Sequence, residues 1–460
     1  MPQSAAAVDL RSFDHYIASC IHIAREKLSN FSCLAEVLEH QGEINRYPRL
    51  ESLGEPRQLK ILEEETLARV PQDRAKAAVA RGEVLFEHAA AGEGTRLMLG
   101  PKYFLNLSRD LTVDGVAHLM SLEAGKIISA REVGARLEMA PHEILPLALG
   151  TRHMLQQAFD LEQLAGELGG NPRELRHRQH LLMIIGEDML AHLQKEFYQW
   201  HFYGFNPAQV FFMVQKSFHG LSHNNNLNGF FYDEASPRRL HNHGQAVMQQ
   251  TMEGQIFTLT GAHPWEKRYY PRAAVEDWLQ GFLDKISYNI EDLDYLQCSL
   301  DYATLGLALT WGDEGYAMVM EVVANNPAKP QKGGMLAWDG ELGRDVMIES
   351  FQLGDLPEGN IHYLNRNFNH YPRPYQSWAR VREAGLPMPI AVKEGYLYYQ
   401  PVQGDINFLV PTAFSRRRQV KPIQNLKSPA TLLLALNRMG AQDRQPGFKE
   451  FVQRCWQGKL

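Results

Sequence analysis

Long hydrophobic runs, paired cysteines, low-complexity stretches and a strong excess of either charge are all missing from this sequence. Apolar runs such as Leu181 to Ile185 are far too short to span a bilayer. Met1 to Ser12 holds no apolar core of signal-peptide length. Only Cys20, Cys33, Cys298 and Cys455 are present, with no Cys-x-x-Cys pair, which excludes a disulfide scaffold and fits reduced thiols. Lys plus Arg total 47 against 53 Asp plus Glu, a formal charge of −6. That balance gives no global attraction to nucleic acid or anionic lipid. The expectation is a soluble cytoplasmic chain with neither nucleic acid nor membrane as partner. Homo-oligomer formation is left open.

What is present is a globular composition. Hydrophobic residues make up 44% and charged residues 22% of 460, enough apolar surface to offset chain entropy. The length corresponds to about two or three domain-sized units. Residues 1–80 read as helical, with Ile17, Ile21, Ala24 and Leu28 at helical spacing and Leu59, Ile61, Leu62, Leu67 and Val70 following. Beyond them, short apolar runs (Val84 to Phe86, Leu181 to Ile185, Val210 to Val214) alternate with stretches read as helical, Ile127 to Met139 and Met189 to Phe197. Later strands are expected at Ala317 to Val323, Met335 to Trp338, Val346 to Phe351 and Tyr396 to Gln400, with helix again at Ala430 to Leu436 and Phe448 to Trp456. Such alternation predicts an α/β layered sheet.

The sharpest local signal is Ala89-Ala90-Ala91-Gly92-Glu93-Gly94-Thr95-Arg96-Leu97, ending in Gly100-Pro101-Lys102. Small residues let successive backbone N–H groups close around an anion, and Arg96 and Lys102 add positive charge. Leu97 stands where a dinucleotide fingerprint needs glycine, and no Gly-Lys-Ser/Thr completes a Walker A loop. The same residues can also form a glycine-rich turn that binds nothing. Elsewhere, the spacing of His219, His223, His241 and His243 permits a zinc reading, but no cysteine or carboxylate is placed to complete the set.

Gly92-x-Gly94-Thr95-Arg96 followed by Pro101-Lys102 resembles the signature loop of the UDP-sugar pyrophosphorylases, one residue shorter than expected between Thr95 and Lys102. Further segments follow in family order. Phe202-Tyr203-Gly204, Val210-Phe211-Phe212 and Gln215 resemble "Phe-Gly-Leu, Val-x-Phe-Phe, Gln"; His241-Asn242-His243-Gly244-Gln245 resembles "Gly-His-Gly-Asp". Ser299-Leu300-Asp301-Tyr302 resembles a strand-end "Asn-x-Asp-Asn", and Glu321-Val322-Val323 with Lys332-Gly333-Gly334 resembles "Glu-Val, Lys-Gly-Gly". Leu386 to Lys393 and Ser415 to Pro422 resemble the family's C-terminal lysine segments, with Gln424 in place of the second lysine.

The resemblance implies a nucleotide-diphospho-sugar transferase fold of the Rossmann-like kind, a mixed sheet flanked by helices. A helical arm over 1–80, a nucleotidyltransferase core over 81–395 and a small C-terminal portion over 396–460 would make up the chain. It implies transfer of UMP from UTP to a sugar 1-phosphate, glucose 1-phosphate first. N-acetylglucosamine 1-phosphate, or a nucleotide-sugar-binding protein with weak or lost catalysis, are the alternatives. Arg96 and Lys102 would be catalytic. Gly92, Gly94, Thr95, Gln215 (reading uracil), His243, Gly244, Lys393, Arg418 and Lys421 would bind substrate, with Arg416 or Arg417 as other cations for pyrophosphate. Asp301 would hold Mg²⁺.

Overall fold

The run from Leu181 to Ile185 is apolar without alternation because, as a strand, it is covered on both faces. In a computed structural model it lies inside a wide mixed sheet. The structure describes residues 8–460 apart from 71, 93, 95, 96, 98, 225–228, 262, 264, 265, 326–332, 355, 357–360 and 418–424, and only the backbone of 64, 68, 367 and 368. We label the strands of the main path β1 (Lys60–Leu62), β2 (Val84–Ala89), β3 (His180–Gly186), β4 (Val210–Gln215), β5 (Ile256–Thr258), β6 (Arg268–Tyr270), β7 (Asp284–Asn289), β8 (Met318–Ala324), β9 (Tyr363–Pro372) and β10 (Thr412–Arg417). Their order is β6-β5-β4-β3-β2-β7-β9-β8-β10-β1. The inner four, β4, β3, β2 and β7, run parallel. Strand β9 is antiparallel to both neighbours, and β8, β10 and β1 are parallel again.

Six of the described helices frame this sheet and the ends of its strands: α1 (Phe13–Lys27), α2 (Leu149–Glu167), α3 (Asn242–Gln249), α4 (Tyr302–Asp313), α5 (Leu432–Asp443) and α6 (Phe448–Trp456). One sheet face, with Phe86, Met183, Phe212, Ile286 and Tyr288, shares a core with α2, α5 and α6. Helix α2 is buried on nearly every side, so its polar residues need internal partners. Arg152, fully buried, meets the equally buried Asp443 of α5 at 2.8 Å. The opposite face packs Leu85, Leu182, Phe211 and Met213 against Trp378.

A second, four-stranded sheet joins Leu221–Asn224, Gly229–Tyr232, Ile390–Lys393 and Tyr396–Tyr399. Helix α1 packs on it, and Tyr16 reaches His241 Nδ1 at 2.9 Å.

Several local expectations need correction. Ile61 and Leu62 are not helical: β1 pairs in parallel with β10, Ile61 opposite Arg416, because the edge N–H and C=O groups of β10 need partners. Only Ala130–Gly134 is helical within 127–139, started by the Ser129–Glu132 capping box. The strand expected at 346–351 is Arg344–Ile348, followed by a turn at Ser350–Gln352. The central strand β7 was not anticipated, since Asp284, Lys285, Ser287 and Asn289 lower its apolar content.

Asp160 on α2 ties in the loop before α4, accepting Ser299 N and Oγ at 2.6 Å each and Gln156 Nε2 at 2.8 Å. Burial pushes its carboxyl up to about 6, against the lowering by Ser299 and Gln156. The folded state therefore holds a proton that the unfolded chain, at the ordinary 3.8, has released. This contribution is whole below about pH 4 and is lost as pH rises through about 6. Asp160→Asn mimics the protonated group, so urea titrations should show the variant gaining on the parent between pH 4 and pH 7. A difference that stays constant with pH would refute the assignment.

Candidate active site

The C-terminal ends of the parallel strands β2, β3, β4 and β7 lie side by side, where an open α/β sheet offers its ligand crevice. The glycine loop leaves β2 there. Ala90 N–H bonds Ile184 O at 2.8 Å, and Lys102 N–H closes the loop on Gly92 O at 3.0 Å. Gly94 has φ +60°, and a Cβ on it would stand 2.6 Å from Gly100 O, so glycine is required by both backbone and space. Thr95 and Arg96 lie outside the described residues.

The closure carries Lys102 toward the end of β7. Its Nζ forms an ion pair with Glu291 Oε2, each side chain only 13% exposed. Lys427 Nζ stands 3.6 Å from the other oxygen, Oε1. The residues just after 424 are clipped to the same strand end: Leu426 N–H bonds Glu291 O at 2.8 Å and Asn425 bridges Asp292. Glu291 therefore sits between two lysines far apart in the chain.

The acids at this strand end are Glu291 and Asp292, not Asp301. Ile290-Glu291-Asp292 directly follows β7, whereas Asp301 is the N-cap of a helix. Asp301 Oδ1 accepts Thr304 N–H at 3.0 Å as the N-cap of α4, and Oδ2 is ion-paired with Arg417. Arg417 also holds Glu321 at 3.1 Å, and Glu321 in turn meets Arg366 at 2.9 Å. Arg417 is thus part of a partly buried charge network, and Arg416 lies over the Tyr363 ring at 5.6 Å. Besides Lys102, the described cation on Glu291 is Lys427, which the sequence reading missed; Arg418, Lys421 and Gln424 lie outside the described residues.

Gln215 ends β4 and is buried. Its Nε2 donates to Asn242 O at 2.7 Å and Gln245 Oε1 at 2.9 Å. Both amide hydrogens are thus held within the protein, which leaves the oxygen as the group this side chain could offer a base.

His243 and Gly244 open α3. Gly244 N–H donates to Pro401 O at 3.0 Å, and a Cβ on Gly244 would lie 2.4 Å from Pro401 C, so no other residue fits there. His243 Nδ1 accepts Gln403 N–H at 2.9 Å. His243 is exposed at the surface, yet crowding by nearby protein pushes its pKa down to about 4, with Glu291 raising and Lys427 lowering it. Lys393 ends the strand Ile390–Lys393, exposed at a hairpin tip, and helps lower the pKa of His241.

Among the described residues no group of three or more His, Cys, Asp or Glu gathers to hold a metal, so the histidine cluster offers no zinc site there. No described helix is long and apolar enough to cross a membrane.

No family model matches the sequence, and no curated protein matches it either. Solved structures do. The UDP-N-acetylglucosamine pyrophosphorylase of Trypanosoma brucei superposes with TM-score 0.58 at 13% identity, over 87% of this chain and 74% of that one. The UDP-glucose pyrophosphorylase of Leishmania major gives 0.52 at 14%, over 95% and 79%. The UDP-glucose phosphorylase of Trypanosoma brucei gives 0.51 at 16%, over 94% and 78%. This chain thus shares its fold, a large mixed sheet flanked by helices, with these UDP-sugar pyrophosphorylases.

Proposed function

We propose that the chain is a UDP-sugar pyrophosphorylase, transferring UMP from UTP to a sugar 1-phosphate, with glucose 1-phosphate the first candidate. The observation that carries this reading is the meeting of Lys102, from the glycine loop, with Glu291, from the end of the central strand, on a fold shared with such enzymes.

In the reaction a phosphate oxygen of the sugar 1-phosphate attacks the α-phosphorus of UTP in line. The bond to the bridging oxygen breaks, and pyrophosphate leaves with the electron pair. No covalent enzyme intermediate is needed, so the protein contributes orientation and charge. The turn through Gly92 and Gly94, with Thr95 and Arg96, would cradle phosphate. Lys102 would leave Glu291 for the triphosphate, and Lys427 would face the departing pyrophosphate. His243 and Gly244 would lie along the nucleotide or sugar, and Gln215 would offer its oxygen to uracil N3–H. Lys393, Arg418 and Lys421 remain proposed phosphate contacts.

Magnesium in such chemistry takes a protein carboxylate together with phosphate oxygens. Asp301 does not fit, because its oxygens serve the fold: one caps α4 through Thr304 N–H, and the other is ion-paired with Arg417, which Glu321 also holds. Glu291 fits: its carboxylate is at the strand end beside the glycine loop, and the lysines now on it are the cations that incoming phosphates would draw away. Held there, Mg²⁺ would supply charge neutralisation on the phosphates.

Pyrophosphate release measured with UTP over a panel of sugar 1-phosphates tests the reading. Turnover should be fastest with glucose 1-phosphate; preference for N-acetylglucosamine 1-phosphate would reassign the sugar. Tight UDP-glucose binding with negligible turnover on every sugar would overturn the enzymatic reading.

Lys102→Ala should lose a charge-assisted contact of about 1.5–3 kcal/mol to the transition state. Turnover should then fall about tens-fold with little change in Tm, because Lys427 stays beside Glu291. Parental kinetics would exclude Lys102 from the chemistry. For the metal, Glu291→Gln should raise the Mg²⁺ concentration giving half-maximal rate, whereas Asp301→Asn should leave it unchanged and instead lower stability. The opposite pattern would return the metal to Asp301.

A further inference from the structure

Beneath the site, the polar residues of β2 and β7 form a closed network. The buried Glu87 carboxylate accepts from Lys285 Nζ, Gln250 Nε2 and Ser287 Oγ, each at 2.9 Å. A fourth, longer contact comes from Gln403 Nε2 at 3.4 Å, which also donates to Ser287 Oγ at 3.2 Å. Gln403 begins the short helix Gln403–Phe408, two residues after Pro401, whose carbonyl receives Gly244 N–H. Its own N–H points to His243 Nδ1 at 2.9 Å.

An N–H can only donate, so Nδ1 must be the unprotonated ring nitrogen, and a neutral His243 carries its proton on Nε2. One residue therefore has its side chain fixed to a buried charge pair and its backbone fixed to the imidazole at the cleft. We propose that Gln403 is a positioning residue, which holds His243 as an Nε2–H donor toward the oxygen atoms of a phosphate or sugar ligand. That role rests on the uridylyltransferase reading only for its kinetic part. The groups acting electrostatically on the ring are Glu291, at the end of β7, and Lys427, from the C-terminal segment.

Two variants separate the parts of the device. Gln403→Met keeps the N–H but loses both amide contacts. Gln403→Pro loses the same contacts and also removes the N–H, so its difference from Gln403→Met isolates the backbone donor; the position is a first-turn helical one that follows an extended Val402 (φ −118°, ψ 143°), a setting that accepts proline. NMR titration of the His243 ring, assigned by the signal missing in His243→Gln, should show a midpoint well below the ordinary histidine range in the parent. Gln403→Pro should move it upward relative to Gln403→Met, because protonation of Nδ1 no longer faces a donor. Gln403→Met should lower kcat about tenfold with KM for UTP nearly unchanged, and Gln403→Asn should recover part of that loss.

A proline variant with the midpoint of the methionine variant, or a methionine variant with parental kcat, would overturn the proposal. If the proline variant fails to fold, the methionine and asparagine variants still decide it. Should no sugar phosphate be turned over by the parent, the enzymatic reading fails, while the NMR midpoints still judge the link between Gln403 and His243.

Discussion

The buried ion pair between Glu87 and Lys285 is the constraint around which the sheet is arranged. It joins β2 to β7, the two strands at the middle of the ten-strand path. A carboxylate so deeply buried would ordinarily be driven toward its neutral form. Burial does act that way on Glu87, but Lys285, Gln250 and Ser287 outweigh it and hold the group below its usual range. Lys285 also lies over the Tyr371 ring at 4.4 Å, which brings β9 into the same arrangement. Removing one partner from such a pair costs about 3–5 kcal/mol, whereas replacing both by apolar groups is often neutral. The network is therefore better understood as fixing register and direction than as adding net stability. In parallel register Ser287 falls opposite Glu87, and a slip by one residue would turn the acid into the apolar face shared with α2.

Much of the sheet was legible because its inner strands are apolar on both faces: Val84 to Phe86, Leu181 to Ile185 and Val210 to Val214 all read as strands. Strand β7 was not. Lys285 and Ser287 face the polar network while Ile286 and Tyr288 face the core, so the segment alternates in a way that a search for apolar runs passes over. The period-two signal was present. It would have led to Asn289-Ile290-Glu291-Asp292, and the strand-end acid would not have been placed at Asp301, twelve residues beyond the end of β7. Lys427 had no sequence signal, since a lysine beyond a basic turn reads as solvated. The bridge between Asn425 and Asp292 and the bond from Leu426 N–H to Glu291 O show where it goes.

The candidate site is assembled from segments distant in sequence, each anchored through its backbone: the glycine loop on Ile184, Gly244 on Pro401, and Leu426 on Glu291. Side chains supply what the backbone cannot, namely the charges of Lys102, Glu291 and Lys427. This division explains why Gly94 and Gly244 tolerate no Cβ. Each marks a place where two main chains touch.

Among the described residues, strand β1 joins the sheet only through β10, from which some 350 residues separate it. During synthesis on a ribosome, the segment around residue 60 emerges early and finds no hydrogen-bonding edge to add to. It must wait, partly unfolded, until the strand ending at Arg417 has been made. The Asn425 bridge and Lys427 come just afterwards, so the pairing of β1 and the second lysine on Glu291 both depend on this segment. A nascent chain stopped short of residue 412 would leave β1 unpaired and the strand-end acid without its second lysine.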